Sequence, residues 1–253
     1  MLAQGLSTPL VAAGYLLAWH LHAPNVYFAS AIGQSVCREG ASIGLGRVEE
    51  LWLAKALRLY GFVPAVADLM PSVRPKEYFR PAQVDRTGAF NNVAIGRDPR
   101  RPRLRLPGSG GISDVTTYLP SVHLYVPRHS RSVFVEALDF VSGLGHVPGR
   151  RRGRGPQYLV SDLGQFDFAD GRLRLTHLHP DVTVETIRRK TGFPVETVPD
   201  LGETPRPTFD ELSLLRDVVD PLNVRRLEFL SGAQRRQAIL AILDAEASPG
   251  IRR

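Results

Sequence analysis

Apolar positions recur at helical spacing over Thr8–His22, where Leu10, Ala13, Leu17 and Leu21 fall on one face. Pro9 suits a first helical turn and Thr8 the capping position before it, so the pattern predicts a helix that Pro24 brings to an end. Val26-Tyr27-Phe28-Ala29 reads as a short buried strand, and a glycine-dotted loop runs from Gly33 to Gly46. A second amphipathic pattern, Val48, Leu51, Trp52 and Leu59, predicts a helix over Val48–Tyr60 stopped by Gly61. Helix and strand alternating from the start of the chain point to an α/β class.

The middle of the chain changes character. Asp98-Pro99-Arg100-Arg101-Pro102-Arg103 is basic and proline-rich, hence a surface loop, and it leads into Gly108-Ser109-Gly110-Gly111. Val122–Val126, Val133–Val141 and Gln157–Leu163 are rich in β-branched and aromatic residues and predict strands. A flexible basic loop, Gly149–Gly155, separates the last two. Arg172–Leu178 alternates polar and apolar, a further strand. Thr183 caps a predicted helix to Lys190, with Gly192 just beyond it. Thr208-Phe209-Asp210-Glu211 is a capping box for a helix that stops before Pro221. Ser231-Gly232-Ala233-Gln234 is a second box, opening a helix over Gly232–Ala245, and the tail Ser248–Arg253 is expected to be mobile. With no internal repeat and no linker, one domain is expected: residues 1–222 as its body and 223–253 as a helical tail.

Composition narrows the class. The chain has 253 residues, 43% hydrophobic and 23% charged, which excludes collagen-like, coiled-coil and disordered classes. Cys37 is the only cysteine, so an internal disulfide and a four-cysteine zinc site are excluded and a cytoplasmic protein is the default. No run approaches the ~18 apolar residues of a membrane span, and Pro9–Leu21 lacks the flanks of a signal peptide. The net charge is +7, nearly all of the positive charge arginine, the lysines being Lys55, Lys76 and Lys190. That raises nucleic acid as a partner, but no aromatic residues interleave with the arginines as a single-strand platform requires.

Self-contained chemistry is sparse. No phosphate-binding loop and no nucleophile elbow is present. Gly44-Leu45-Gly46 begins like a dinucleotide fingerprint, but Glu49 occupies the third glycine position. His177 and His179 share one face of a strand and lack a third ligand nearby in sequence, so they read as hydrogen-bonded side chains rather than a metal site. Cys37 has Arg38 as a charge partner but no neighbouring histidine to act as base. The consecutive glycines of Gly108–Gly111 let backbone N–H groups approach a phosphate or a developing oxyanion, or simply make a turn. Arg97–Arg105 and Arg150–Arg154 are a solvated surface, an anion site or a nucleic-acid patch.

Motif order carries more than any single motif. Ala82-Gln83-Val84-Asp85-Arg86-Thr87-Gly88, Asn91 and Gly108-Ser109-Gly110-Gly111 are followed by Phe134-Val135-Glu136-Ala137-Leu138-Asp139-Phe140-Val141 and Gly155-Pro156. Then come Ser161-Asp162-Leu163-Gly164-Gln165-Phe166-Asp167-Phe168, Leu178-His179-Pro180, Thr191-Gly192-Phe193 and Asp220-Pro221. From Ala3 to Asp220 this order resembles the β subunit of class I, glutaconate-type CoA-transferases. The resemblance implies an open α/β fold with a largely parallel central sheet and a homologous α subunit as partner. It also implies an acyl-CoA site between the two chains, with CoA entering as part of the substrate rather than as a resident cofactor. It places Gly108, Ser109, Gly110 and Gly111 near the thioester, where backbone donors stabilise an oxyanion.

Two departures stand out. The transferases use a β-subunit glutamate shortly after an Ala-Pro-Asp/Asn segment and a strand; here Ala23-Pro24-Asn25 leads to Ala31 at that position. No carboxylate lies between Asn25 and Arg38, and Glu39 substitutes only if the loop folds back. Relatives without that glutamate resemble steroid-ring acyl-CoA hydrolases, with the carboxylate on the α subunit, or decarboxylases with a cysteine at that position, which Cys37 does not occupy. Phe134–Ser142 looks like the steroid-ring group, and the glycine loop looks like the transferases. Hydrolase or lyase chemistry is therefore expected ahead of CoA transfer. Arg150, Arg151 and Arg152 are expected to contact the CoA phosphates, with contact to the partner subunit as the equal alternative for Arg150–Arg154. Second, family members carry a helix and a strand ahead of the equivalent of Gly5, so Met1 is expected to be a start placed too late.

Overall fold

The structure, a computed structural model, describes residues 1–4, 8–30 and 34–248. The chain divides into two compact units, Met1–Glu77 with Pro207–Arg253, and Tyr78–Arg206.

The sheet of the first unit contains strands β1 (Leu2–Gln4), β2 (Phe28–Ser30), β3 (Ser35–Cys37), β4 (Ala56–Leu59) and the start of β5 (Lys76–Phe79). β1 pairs in parallel with both β2 and β5, while β3 and β4 continue the sheet antiparallel. The expected first helix is Pro9–Leu21 with Pro9 in its first turn. Its buried residues are Val11, Ala12, Ala13, Tyr15 and Leu16. Leu21, on the expected face, is 40% exposed. The helix is apolar almost all round, so spacing alone does not select a face; two adjacent alanines let the backbone approach the sheet. Tyr15 Oη donates to the Ala3 carbonyl (3.0 Å), and the buried Glu228 carboxylate accepts from the Leu10 N–H (2.9 Å), one of the amides a helix start leaves unpaired. Phe28 stacks on Trp52 at 4.6 Å.

The helix expected over Val48–Tyr60 is corrected. Only Glu50–Leu53 is helical, and Ala56–Leu59 is the edge strand β4. The open backbone edge of β3 recruits it, with Ser35 opposite Leu59 and Cys37 opposite Ala56. Leu57 and Leu59 point outward, 62% and 65% exposed. At the other end of the chain the Thr208 capping box forms as expected: Thr208 N–H donates to Glu211 Oε2 (2.7 Å) and Glu211 N–H to Thr208 Oγ1 (3.2 Å). The helix stops at Asp220, whose buried carboxylate then accepts from the N–H groups of Val224 (2.7 Å) and Arg225 (3.0 Å). The terminal helix is Gly232–Ala247, although Ser231 makes no side-chain cap. Glu246 on that helix accepts from Leu45 N–H (2.5 Å) and Gly46 N–H (2.8 Å). The glycine-flanked loop that began like a dinucleotide fingerprint therefore holds a carboxylate of its own chain. The expectations for Ala31 and for the tail past Ser248 fall on residues outside those described.

The second unit carries two small hairpins, β6 (Gln83–Val84) with β7 (Phe90–Asn91), and β8 (Ala94–Ile95) with β9 (Leu104–Arg105). Its larger sheet runs β10 (Val122–Val126), β11 (Pro156–Ser161), β12 (Gly164–Ala169), β13 (Arg172–Leu178) and β14 (Glu196–Glu203). The β10–β11 and β13–β14 pairs are parallel, and β11–β12–β13 is an antiparallel meander. β10 and β13 have the expected bounds. Thr183 caps Val184–Lys190 through Thr186 N–H, also as expected. Val133–Val141 is corrected: it forms no strand but docks along β6 through single bonds, Val84 N–H to Val133 O (2.7 Å) and Val135 N–H to Val84 O (3.0 Å). Both units have the open α/β sheet architecture expected, with antiparallel hairpins added to the parallel pairs.

Candidate functional site

The motif residues around β6 and β7 build a rigid seat. Asn91, fully buried, donates to Gln83 Oε1 (2.8 Å) and Ala94 O (2.7 Å) and accepts from Val93 N–H (2.9 Å). Gln83 Nε2 donates to Asp139 Oδ2 (3.0 Å), which also accepts from Gly96 N–H (3.1 Å). Every polar atom named here has a partner, which holds such a buried network in one arrangement. The seat carries the glycine loop: Gly108 N–H donates to Asn92 O (3.0 Å) and Ile112 N–H to Ser109 O (2.9 Å). Among the described residues, the N–H groups of Ser109, Gly110 and Gly111 have no partner within the chain. Gly108 and Gly110 adopt φ of +113° and +49°, a region side chains avoid, and a Cβ at either would meet nothing within 4 Å. Gly110 and Gly111 are exposed. The loop thus leaves three backbone donors unpaired, two of them on exposed glycines, while the fourth, on Gly108, is used by the fold.

The short helix Ile112–Tyr118 follows the loop and is tied down along its length. Ser113 Oγ donates to Ser142 O (3.0 Å), and Thr116 Oγ1 accepts from Leu144 N–H (3.1 Å). Arg150 closes the far end. Its guanidinium donates to Gly145 O (2.7 Å), Leu144 O (3.5 Å) and the helix carbonyl of Thr116, and its Nε to Arg152 O (2.8 Å). Desolvation lowers its pKa from the usual arginine value. Gly153, at φ +66°, makes room, since a Cβ there would sit 2.8 Å from Arg150 Nη2. Arg150 is thereby placed as an anchor of the loop–helix unit, with four hydrogen bonds to backbone carbonyls. Arg151 is exposed, and Arg152 lies 5.5 Å over the Tyr118 ring.

The two weak nucleophile candidates lie elsewhere. Cys37 is fully buried in β3, and burial pushes its thiol up to about 11, so the reactive thiolate is disfavoured. Glu39 is half-exposed and pairs with Lys55 at 2.5 Å; that hydrogen bond and charge hold its carboxyl below the usual carboxylate range. β3 runs antiparallel to β2 with Ser35 opposite Ser30 and Cys37 opposite Phe28. Two residues of strand, about 7 Å, separate the Ser30 end from the level of Cys37, and Glu39 lies past Cys37. Glu39 therefore lies beyond the Phe28 end of β2, away from the Ser30 end. With Trp19, Pro24, Arg38, Lys55 and Leu57 it lines a groove of about 350 Å³.

Sequence patterns gave no sign of His129. It is 3% exposed, stacked on Phe134 at 3.7 Å, and shares hydrogen bonds with Ser161 Oγ (3.0 Å) and Thr191 Oγ1 (2.9 Å). Its backbone N–H donates to Asp162 Oδ1 (2.7 Å), and Gly192 N–H donates to Phe134 O (2.8 Å). Desolvation first, with the charge of Lys190 second, pulls its pKa down to about 3, so it is a neutral imidazole. The Phe134, Ser161-Asp162 and Thr191-Gly192 motifs, far apart in sequence, thus meet on one histidine as packing rather than chemistry. His177 and His179 are hydrogen-bonded, His179 to Thr204 Oγ1 and Ser161 O (both 2.9 Å) and His177 to Thr176 Oγ1 (3.1 Å). Among the described residues no cluster of three His, Cys, Asp or Glu is placed to hold a metal, and no helix is long and apolar enough to cross a membrane.

No family model matches the chain. It is 39% identical over 160 residues to the cholesterol ring-cleaving hydrolase IpdB subunit of Mycobacterium tuberculosis, covering 59% of this chain and 62% of that one. The match therefore spans less than two thirds of that relative's length. It is 34% identical over 183 residues to the cholesterol ring-cleaving hydrolase IpdB subunit of Rhodococcus jostii, covering 66% of this chain and 69% of the relative. A chain of the solved Rhodococcus jostii IpdAB structure superposes with a TM-score of 0.74 at 29% identity, over 92% of this chain and 91% of that one. Glutaconate CoA-transferase from Acidaminococcus fermentans superposes with a TM-score of 0.76 at 24% identity, over 87% and 88%, a likeness of fold.

Proposed function

This chain belongs to the β-subunit branch of the glutaconate-type CoA-transferase family, and on that premise we propose that it is half of a heteromeric enzyme that hydrolyses or cleaves an acyl-CoA thioester. The single observation that carries the reading is a glycine loop with three backbone donors left unpaired, in a chain that offers no ready carboxylate nucleophile of its own. Ser109, Gly110 and Gly111 supply N–H groups for a developing oxyanion. Position 31 is alanine, Cys37 is a buried thiol and Glu39 is engaged by Lys55 beyond the far end of β2. The carboxylate that moves the proton then belongs to a homologous α subunit, where it activates water rather than accepting CoA. CoA enters with the substrate, and no resident cofactor is required. The one cysteine, buried and unpaired, fits a reducing cytoplasm.

The test is co-expression with a homologous α chain and incubation with acyl-CoA thioesters, with and without acetate or succinate, read by mass spectrometry. Cleaved or hydrated substrate without an acceptor acid is the expected result. New CoA thioesters formed only with an acceptor would make the complex a CoA-transferase, and trapping a CoA thioester on this chain would place the nucleophile here.

A further inference from the structure

With Arg150 used by the fold, the free positive charge nearest the glycine loop in sequence is on the β8–β9 hairpin. Arg97, Arg100, Arg101, Arg103 and Arg105 are all exposed there, against one acid, Asp98. Among the described residues, none of the five guanidinium groups pairs with a carboxylate of the chain. Asp98 is used in the turn, accepting from Arg100 N–H at 2.9 Å. The hairpin is not a loose arm. Gly96 N–H is held by Asp139, Ala94 O and Ala94 N–H by the buried Asn91, and Leu106 N–H by Val93 O (3.0 Å). The Asn92–Gly108 hydrogen bond makes the start of the glycine loop the base of this same hairpin.

Like charges held this close on an anchored element repel each other unless a polyanion sits among them. An acyl-CoA has one polyanionic part, its nucleotide end. The hairpin rises six residues from Asn92 to Asp98, up to about 20 Å at ~3.3 Å per residue. The pantetheine arm between thioester and diphosphate, with its two amide units, extends about 15 Å by the same covalent dimensions. The hairpin therefore lies within reach of the phosphates of a thioester held at the glycine loop. Arg105 in β9 and Arg103 just ahead of it are both exposed, so the hairpin offers more than one guanidinium to a ligand with separate phosphates. Guanidinium groups bind such oxygens bidentately.

We propose that the β8–β9 hairpin, through these arginines, seats the diphosphate and 3′-phosphate of the CoA moiety, a subsite that rests on the acyl-CoA reading above. The test titrates CoA, adenosine 3′,5′-bisphosphate, pantetheine and a 20-nucleotide RNA against the full chain in complex with its α subunit. It compares the wild type with R101S/R103S/R105S and, as a reference, R151S/R152S. The expected result is CoA and the bisphosphate bound at least about tenfold more weakly by the hairpin variant, with pantetheine unchanged and the reference variant like the wild type. R101K/R103K/R105K, which keeps charge but not the fork, recovers part of the loss and excludes misfolding as its cause. Undiminished CoA binding in the hairpin variant, or a loss confined to R151S/R152S, overturns the subsite while leaving the acyl-CoA reading standing. RNA bound more tightly than CoA by the wild type would make the hairpin a nucleic-acid surface. No binding of CoA by the wild-type complex would remove both readings.

Discussion

Replacing Arg150 by alanine separates an anchor from a phosphate ligand. The side chain bonds two carbonyls from different segments at short range, Thr116 O at the end of the loop-bearing helix and Gly145 O, with Leu144 O at the limit of bonding. A hydrogen bond from a charged donor contributes about 1.5–3 kcal/mol, so two strong ones approach 3–6 kcal/mol. Arg150 is only partly buried and water reaches the freed carbonyls, so about 2–3 kcal/mol is the expected loss. For a chain of this size that corresponds to a fall in Tm of roughly 5–10 °C. Because the helix carries Gly108–Gly111 at its other end, kcat in the α-subunit complex should fall while KM for acyl-CoA changes little. Arg150→Lys should recover less than half of the loss, since one ammonium does not span both carbonyls with the guanidinium's geometry. Urea unfolding, thermal scans and steady-state kinetics on both variants measure this. An Arg150→Ala chain with an unchanged Tm and a raised KM would refute the reasoning and return Arg150 to the phosphate role.

Three further outcomes follow from the same geometry. Glu39→Gln should leave kcat within about twofold in the acyl-CoA assay, since only an exposed ion pair is lost; a drop of several orders of magnitude would restore Glu39 as nucleophile. His129 has a native pKa of about 3 against 6.5 when unfolded, so its contribution is complete above pH 6.5 and is lost as pH falls toward 3. Over that window stability should drop by on the order of 4 kcal/mol. Denaturant midpoints from pH 7 to 4 read it, and an equally steep loss in His129→Phe would exclude His129 as the cause. Glu77 in β5 is buried with Oε2 unpaired, and burial pushes its carboxyl up to about 7. Its contribution is present below pH 4.5 and lost as pH rises through 7, so Glu77→Gln should stabilise the chain at pH 8 by about 3 kcal/mol and have little effect at pH 4. Equal midpoints for both proteins at pH 8 would contradict this.

Local chemistry made some elements readable. β10 and β13 have the expected bounds because alternating or continuous apolar residues specify a strand wherever one face is covered. The Thr208 capping box formed because its bonds close within four residues. Where long-range pairing competes with spacing, the pattern misleads. Ala56–Leu59 has helical periodicity but follows the open edge of β3, and Val133–Val141 has strand composition but is drawn along β6 by single bonds and by Gln83 and Asp139. The candidate site was half legible. The glycine loop was found by composition, whereas the use of Gly108 N–H by Asn92 O and of Arg150 by four carbonyls depends on partners up to 34 residues away.

What the sequence determined by itself was family and class: the order of short motifs and the α/β alternation are both written in one dimension. The tertiary structure alone decided what each motif does. Ser161, Asp162, Thr191 and Phe134 converge on a histidine that no spacing singles out, and Arg150 is spent on backbone carbonyls while the arginines of the β8–β9 hairpin pair with no carboxylate among the described residues. The physical reason is that a donor's role depends on which acceptor reaches it first, and in a sheet protein those acceptors arrive from distant strands.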